Sequence, residues 1–430
     1  MNPRIKFWSQ TFSFLFLFAL LLQIGFWFAT KKPLWNDEMF TQFQSLTHSY
    51  KDLFLGRIGE GNISPLFYAS QKFLCEITHS DATKRLEQEV GVGKNFPWYV
   101  HEGYSQIFLR ITSIFFMSLA ISLIFYFFMR FYSVWAGLYS LLLSVSSFMV
   151  WIYWAEARPY TQWFFLTTTQ SLLFLYLTEL GINNAHTNSS TSGGTRAWRW
   201  LVVNHLLLSF SSIFSIIQII TVSLLLWILL EKDWRRYITL TVIPSVVCII
   251  YYIWSPKYRF TFNDTPWQLI NANIPKDRLV IIILFALFLF FDYFLLNFCQ
   301  LREHLLDLRR GPLILRNSIM WIQRPPRKKN LSGGPYLALT VLMLLAAGIV
   351  LWKFKLEEPS DHKGFAISNR YFLYLTPVGI IATTLFSVYI FRFLTKKIWL
   401  QILFVIVLAL LSVSRIDRTY KLVKSYYQFK

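Results

Sequence analysis

The chain has 430 residues, of which 55% are hydrophobic and 15% are charged, with a formal net charge of +20 at pH 7. Soluble domains contain about 25% charged residues, and apolar stretches of about 20 residues, long enough to cross a bilayer, recur along this chain. The composition therefore excludes an ordinary soluble protein and predicts an all-α polytopic membrane protein. Lys and Arg lie mostly in short segments between apolar stretches, which indicates membrane lipids as partners and leaves no compact domain for nucleic acid.

The first apolar stretch covers about residues 7–30 and follows two basic residues, which predicts a first span with a cytoplasmic N-terminus. Residues 31–105 then form a first exterior loop. Apolar residues at helical spacing predict one helix from Glu38, and a second that starts at Pro65 with Ser64 as its N-cap. Amphipathic helices between two spans are expected to lie in the membrane interface.

The later apolar stretches bring the predicted total to about eleven transmembrane helices in a single domain, 1–430. The stretch 201–230 is longer than one helix needs, and we divide it near Ser211 into two short helices. A single tilted helix is the alternative, and it would invert every later segment. With the division, segments 181–199 and 300–334 are cytoplasmic, and the second of these carries the strongest cluster of Lys and Arg.

Two adjacent carboxylates, Asp37 and Glu38, follow the first span. They can cap the helix that begins at Met39, because carboxylates stabilise the positive end of a helix. Alternatively, a carboxylate beside apolar surface has a raised pKa and can act as a general base, which contributes roughly 10²–10⁴ in rate. The two residues taken alone leave both interpretations open.

The short segment 151–160 carries Glu156 and Arg158 between two predicted spans. Ionisable groups at this depth are costly and are usually paired or functional, so the segment is either an ion-paired turn or part of a binding site. Arg110 and Arg370 each lie at the end of a predicted span, and each taken alone fits an anchor whose side chain reaches the head groups.

The predicted topology brings six ionisable residues to one face of the membrane, namely Asp37, Glu38, Arg110, Glu156, Arg158 and Arg370. Carboxylates beside arginines suit a hydroxyl group that attacks next to a phosphate leaving group, because arginine binds phosphate through paired hydrogen bonds. No glycine-rich phosphate loop is present, so direct use of a nucleotide is not indicated. The exterior histidines show no ligand spacing, so a divalent metal is left open but not indicated, and no other cofactor is predicted.

Five sequence elements, in this order and spacing, resemble the GT-C glycosyltransferases of the protein O-mannosyltransferase and lipid A aminoarabinose-transferase type. They are Asp37-Glu38, Ser64-Pro65-Leu66-Phe67-Tyr68, Leu109-Arg110-Ile111-Thr112-Ser113, Glu156-Ala157-Arg158-Pro159-Tyr160 and Asn369-Arg370-Tyr371. The resemblance covers about residues 7–180 well and the remainder more loosely. Family members often carry His-Pro-Pro where this chain has Ile63-Ser64-Pro65, so the sugar and the acceptor stay open.

The resemblance implies a polyprenyl-phosphate-linked sugar donor and inverting transfer to a hydroxyl of a glycan, lipid or protein acceptor. The reaction would take place on the noncytoplasmic face of a bacterial inner membrane, in a fold with a helical first exterior loop. It implies Asp37 as the catalytic base, with Glu38 orienting Asp37 or the acceptor. Arg158 and Arg370 would hold the donor phosphate, with Arg110 as a further candidate. The other members of the predicted substrate-binding site are Glu156, Tyr160 and Tyr68.

The alternative from another class is a transporter or flippase of lipid-linked saccharides, with the same arginines as a transit site. Such a protein is expected to carry charged residues within its spans, near the midplane of the membrane. The plainest candidates for that position are Asp292 and His205. The acids and arginines concentrate at one face instead, which favours an enzyme.

Overall fold

The protein is described here by a computed structural model. The residues that the structure describes are 3–32, 36–57, 64–78, 106–180, 192–230, 237–254, 260–261, 266–287, 289–290, 333–356, 365–366, 372–394 and 398–424. Within these ranges the chain is almost entirely helical, as predicted. The exception is a pair of two-residue parallel strands, β1 (Phe260–Thr261) and β2 (Phe365–Ala366).

The helices are α1 (Pro3–Lys31), α2 (Asn36–Thr47), α3 (Tyr50–Phe54), α4 (Pro65–Thr78), α5 (Gln106–Phe131), α6 (Val134–Val145), α7 (Phe148–Trp154), α8 (Tyr160–Leu175), α9 (Ser192–Ser209), α10 (Ser215–Leu229), α11 (Ile243–Trp254), α12 (Pro266–Asn273), α13 (276–287), α14 (Gly334–Leu356), α15 (Leu375–Phe393) and α16 (Ile398–Val423). Short π-helical turns follow α8, at Tyr176–Leu180, and precede α11, at Ile238–Val242.

Four of the described helices, α1, α5, α15 and α16, are long and apolar enough to cross a membrane. The pair α6 and α7 would form a fifth span, bent by 67°. Three shorter apolar helices lie at Ser215–Leu229, Ile238–Tyr251 and Gly334–Val350. The protein is therefore a membrane-embedded, multi-pass helical protein, and the predicted total of about eleven spans stays a prediction.

The helix α1 packs closely along α5 and the end of α7 because Gly25 has no side chain. A Cβ atom at Gly25 would lie 2.5 Å from Cγ2 of Ile114 and 2.9 Å from Nε1 of Trp154. The same indole Nε1 donates a hydrogen bond of 3.2 Å to Ser118 Oγ on α5. This crossing brings the C-terminal end of α1 next to the turn that follows Trp154.

The predicted division of the stretch 201–230 is confirmed. The helix α9 ends at Ser209 and α10 begins at Ser215. The turn between them receives the start of α4, which begins at Pro65 as predicted. Ser64 Oγ donates to the carbonyl oxygen of Ser211 at 2.8 Å. The start of α4 is thus hydrogen-bonded to the turn between α9 and α10.

The two helices predicted for the first loop are present, but α2 buries polar side chains as well as apolar ones. Thr41, Gln44 and Ser45 of α2 are buried together with Leu46. Because buried polar side chains need partners or a ligand, the inward face of α2 is suited to line a polar site. The helix α2 packs on α4, and α4 in turn packs on α5.

Candidate functional site

The centre of the candidate site is a buried ion pair between Glu38 on α2 and Arg110 on α5. Arg110 Nε donates to Glu38 Oε1 at 2.8 Å, and Nη2 donates to Oε2 at 2.7 Å, so the pair is bidentate. Arg110 Nη1 also donates to the carbonyl oxygens of Ala29 and Lys32, at 2.8 and 2.6 Å. Neither side chain of the pair is exposed. Arg110 therefore closes the C-terminal end of α1 and fixes the start of α2.

A second buried ion pair lies beside the first, between Lys32 and Glu156. Lys32 Nζ donates to Glu156 Oε2 at 2.6 Å and to the carbonyl oxygen of Ile152 at 2.9 Å. Burial raises the pKa of Glu156, and the attraction of Lys32 partly opposes this shift. The two pairs are joined, because the backbone N–H of Ala157 donates to Glu38 Oε1 at 2.8 Å.

These contacts show where the structure places three of the predicted site residues, whose roles stay predictions. Arg110 is fully buried, and its guanidinium nitrogens donate to Glu38 and to the carbonyl oxygens of Ala29 and Lys32. Glu156 is buried and paired with Lys32. Glu38 is held by Arg110 and by the backbone N–H of Ala157, which fixes the start of α2 next to Asp37, in line with the expectation that Glu38 orients Asp37. The sequence left an ion-paired turn open for Glu156 but did not identify the partners, because Lys32 and Arg110 each also fit an anchor at the end of a span.

Asp37 is the partly buried neighbour of this network, in the first turn of α2. Arg158 lies directly beside it, with Nη1 3.3 Å from the carbonyl oxygen of Asp37 and 3.3 Å from Thr41 Oγ1. The guanidinium also faces the rings of Phe40 and Tyr160, at 6.0 and 5.7 Å. Arg158 thus contacts the backbone of the first turn of α2, so an anionic group bound by Arg158 would lie close to Asp37.

The predicted binding residues Tyr68 and Tyr160 are both buried at this site. Tyr68 Oη lies 3.5 Å from Nη1 of Arg158, and the ring of Tyr160 packs on that of Tyr153, with the centroids 4.9 Å apart. The structure thus brings seven of the eight predicted site residues into one cluster. The eighth, Arg370, lies outside the described residues.

Three buried polar residues that sequence reasoning missed lie on the same helices as Tyr68 and Tyr160, namely Gln71 on α4 and Thr161 and Gln162 on α8. Gln71 Nε2 donates to the carbonyl oxygen of Leu109 at 2.7 Å, while its Oε1 is buried. Within the described part of the chain, Gln71 Oε1, Gln162 Oε1 and Thr161 Oγ1 have no hydrogen-bond partner. Buried oxygens of this kind accept hydrogen bonds from a ligand or from water.

Lys32 is the other residue missed, and its sequence signal was weak. It follows Lys31 immediately after the first apolar stretch, where lysines commonly reach towards head groups. Only the packing of α1 against α7 turns Lys32 inwards. Among the described residues, no three His, Cys, Asp or Glu side chains come together as a metal ion would require.

His205, the candidate for a transit site inside the bundle, is fully buried on α9. Its Nδ1 lies 2.9 Å from the carbonyl oxygen of Leu240 and its Nε2 lies 2.8 Å from Nε2 of Gln170. A carbonyl can only accept, so Nδ1 carries the proton and Nε2 accepts from the amide of Gln170. Both ring nitrogens are thus satisfied in the neutral state. The other candidate, Asp292, lies outside the described residues.

No protein-family model and no curated protein matches the sequence.

Proposed function

We propose that the protein is a membrane glycosyltransferase that moves a sugar from a polyprenyl-phosphate donor to an acceptor hydroxyl, with Asp37 as the general base. One observation carries the proposal. Of the three clustered carboxylates, Glu38 and Glu156 are buried in ion pairs, whereas Asp37 stays partly exposed beside Arg158. Asp37 is thus the carboxylate of the cluster that can meet a substrate.

The proposed reaction is a single displacement with inversion. Asp37 takes the proton of the acceptor hydroxyl while the oxygen of that hydroxyl attacks the anomeric carbon of the sugar. The bond between that carbon and the phosphate oxygen breaks, and the polyprenyl phosphate leaves with the electron pair. Arg158 would stabilise the charge that develops on the phosphate, because its position is fixed before the reaction. Arg370 is proposed as the second phosphate ligand.

The polar lining supports a ligand that is rich in hydroxyl groups. Gln71, Thr161 and Gln162 carry buried oxygens without a partner among the described residues, on the two helices that also carry Tyr68 and Tyr160. Sugar hydroxyls donate to such oxygens, and the apolar faces of a sugar pack on aromatic rings. These residues are therefore proposed to hold the transferred sugar or the acceptor.

The finer architecture belongs to the same proposal. A GT-C-like bundle of about eleven spans would put α2 and α4 in the interface on the noncytoplasmic face of a bacterial inner membrane. The long lipid tail of the donor would then lie between the spans while its phosphate reaches Arg158. The rival, a flippase, gains no support from His205, because both ring nitrogens of that residue are satisfied in the neutral form.

The test is the substitution Asp37→Asn, assayed in proteoliposomes with a polyprenyl-phosphate-linked sugar. The change keeps the size of the side chain and removes the base, so we expect transfer to fall by about 10² or more. Asp52→Asn is the matched control, since Asp52 lies on α3 of the same loop, is partly exposed and pairs with Arg57 at 3.0 Å.

The control variant should retain the wild-type rate, and the unfolding temperature of Asp37→Asn should stay close to that of the wild type. Near-normal transfer by Asp37→Asn would refute the assignment of the base. Absence of transfer from any polyprenyl-phosphate sugar, combined with movement of such lipids across the bilayer, would favour the flippase instead.

A further inference from the structure

A second basic cluster lies at the bend between α6 and α7, away from the ion-paired network. Its central residue is Arg278 on α13, whose side chain is 1% exposed. Arg278 Nη2 donates to the carbonyl oxygen of Leu143 and lies 3.3 Å from Ser146 Oγ. Nε and Nη1 of the same guanidinium are buried, and they have no hydrogen-bond partner in the described part of the chain.

Arg415 on α16 is the second cation of this cluster. Thr419, one turn further along α16, donates to the carbonyl oxygen of Ser146 at 3.0 Å, so this face of α16 lies on the same bend. Arg415 Nη1 is 3.7 Å from Asp277 Oδ1, and its Nε is buried with no partner among the described residues. Arg278, Arg415 and Asp277 thus form one cluster at the bend, in which two guanidinium groups and one carboxylate leave one positive charge in excess.

Helix capping accounts for only part of this arrangement. A cation at the C-terminal end of α6 is favourable, and Arg278 Nη2 fulfils that role at Leu143. Leaving further N–H groups of a buried charged side chain without an acceptor costs free energy, and more for a charged group than for a neutral one. The remaining donors of Arg278 and Arg415 therefore call for an acceptor that also carries negative charge.

The position of Arg415 on α16 indicates where that acceptor comes from. Leu410 and Val413, just before it, are exposed apolar residues, and Asp417 and Lys421, just after it, form an exposed ion pair. Such a change from apolar to charged surface marks the level of the lipid head groups. An anion bound by this cluster would therefore lie at the depth of the lipid phosphates.

We propose that Arg278 and Arg415 bind the phosphate group of an anionic membrane lipid at the bend between α6 and α7. The cluster of Arg278, Arg415 and Asp277 is distinct from the Asp37 site. The two lie at opposite ends of α7, which has seven residues and is therefore about 10 Å long. The proposal does not depend on the proposed glycosyl transfer. It names a binding site, with arginine forks as the phosphate ligands.

The test measures the thermal unfolding of the detergent-purified protein during titration with dioleoyl phosphatidylglycerol. Parallel titrations use dioleoyl phosphatidylcholine, which carries no net charge, and inorganic phosphate. A ligand that binds only the folded protein raises the unfolding temperature in proportion to its affinity. We expect a clear rise with phosphatidylglycerol and a smaller one, or none, with the other two compounds.

Three variants test whether the rise in unfolding temperature depends on Arg278 and Asp277. Arg278→Lys keeps the charge and loses the planar fork, so the affinity for phosphatidylglycerol should fall by about tenfold, the effect of losing one charge-assisted bond. Asp277→Asn removes the competing carboxylate, so the affinity should rise. Arg130→Lys is the control, because Arg130 is exposed at the end of α5 and contacts Tyr126 at 3.1 Å.

Unchanged affinity in both Arg278→Lys and Asp277→Asn would overturn the proposal and leave water as the acceptor. An equal rise with inorganic phosphate would overturn the assignment to a lipid. If Arg278→Lys does not fold, the comparison of Asp277→Asn with the wild type still decides the matter, since a purely structural ion pair predicts lower stability and no gain in lipid affinity.

Discussion

At the residue scale, Asp37 and Glu38 show how differently two neighbouring carboxylates can be placed. Successive residues on a helix point about 100° apart, so one side chain enters the bundle while the other stays at its edge. Glu38 enters and meets Arg110, and Asp37 remains partly exposed. The pair that the sequence presents as one acidic unit is thus divided into a structural acid and a candidate base.

The structural role of Glu38 leads to a prediction about stability. Glu38→Gln keeps the shape of the side chain but removes the charge that compensates Arg110. Breaking a buried ion pair in this way typically destabilises a protein by about 3–5 kcal/mol. Chemical unfolding in detergent micelles should show a loss of this size in the free energy of unfolding.

Glu76→Gln is the matched control for that measurement. Glu76 pairs with Lys72 at 3.2 Å on α4, and its side chain is 39% exposed. Lys72 is buried but Glu76 keeps contact with water, so this pair should contribute less than the fully buried pair of Glu38 and Arg110. If Glu38→Gln were as mild as Glu76→Gln, the Glu38 pair would not hold the start of α2 in place.

The buried carboxyl of Glu156 makes a pH-dependent contribution to stability. Its pKa is raised in the folded protein above the ordinary value of 4.5. The folded state therefore binds the proton more tightly, and this contribution is fully present below pH 4.5 and is lost as the pH rises through the raised pKa.

The corresponding prediction compares the wild type with Glu156→Gln, which does not titrate at this position. The stability of the wild type relative to the variant should decrease as the pH is raised from 4 towards neutrality. Unfolding temperatures of both proteins across this interval provide the measurement. A difference that stays constant with pH, or that grows, would contradict the raised pKa.

At the scale of the elements, close contact of α1 with α5 and α7 is what delivers Lys32 to the site. Gly25→Ala would place a methyl group 2.5 Å from Cγ2 of Ile114, so the helices must move apart. Overpacking of this kind costs about 1–3 kcal/mol. We expect a lower unfolding temperature and, because the ion pairs depend on the same crossing, reduced activity in the transfer assay.

Gly348→Ala is the control at this scale. Gly348 lies within α14, and a Cβ atom there would meet nothing within 4 Å. Replacing an interior helical glycine by alanine typically stabilises by about 0.5–1 kcal/mol. If both substitutions changed the stability equally, a methyl group would fit at Gly25 and the helices would not be in close contact there.

At the scale of the whole molecule, the prediction concerns the sidedness of the chain. Residues 31–105 and 255–277 are expected outside and residues 181–199 and 300–334 inside, because the basic residues concentrate in the last of these. In a variant without native cysteines, Lys51→Cys on α3 should react with a membrane-impermeant maleimide in intact cells. Ser332→Cys should react only after the membrane is opened. Labelling of Ser332→Cys from outside would invert the map, and the proposed active face with it.

The sequence alone determined the features that depend on local pattern. Apolar length predicted a membrane protein, Pro65 marked the start of α4, and excess length predicted the division near Ser211. It also predicted that Asp37, Glu38, Arg110, Glu156, Arg158 and Arg370 reach one face of the membrane, because each lies at or beside the end of a predicted span. In the described residues, Asp37, Glu38, Arg110, Glu156 and Arg158 lie in one cluster, and the position of that cluster on one face of the membrane stays a prediction.

Only the tertiary structure decided which of these residues meet. Glu38 and Arg110 are 72 positions apart and Lys32 and Glu156 are 124 apart, so no local pattern relates them. Their pairing depends on how closely α1, α5 and α7 cross, which the missing side chain at Gly25 permits. The same reason explains why Arg278 gave no signal in the sequence: a charge at the start of a helix looks like an anchor until packing buries it.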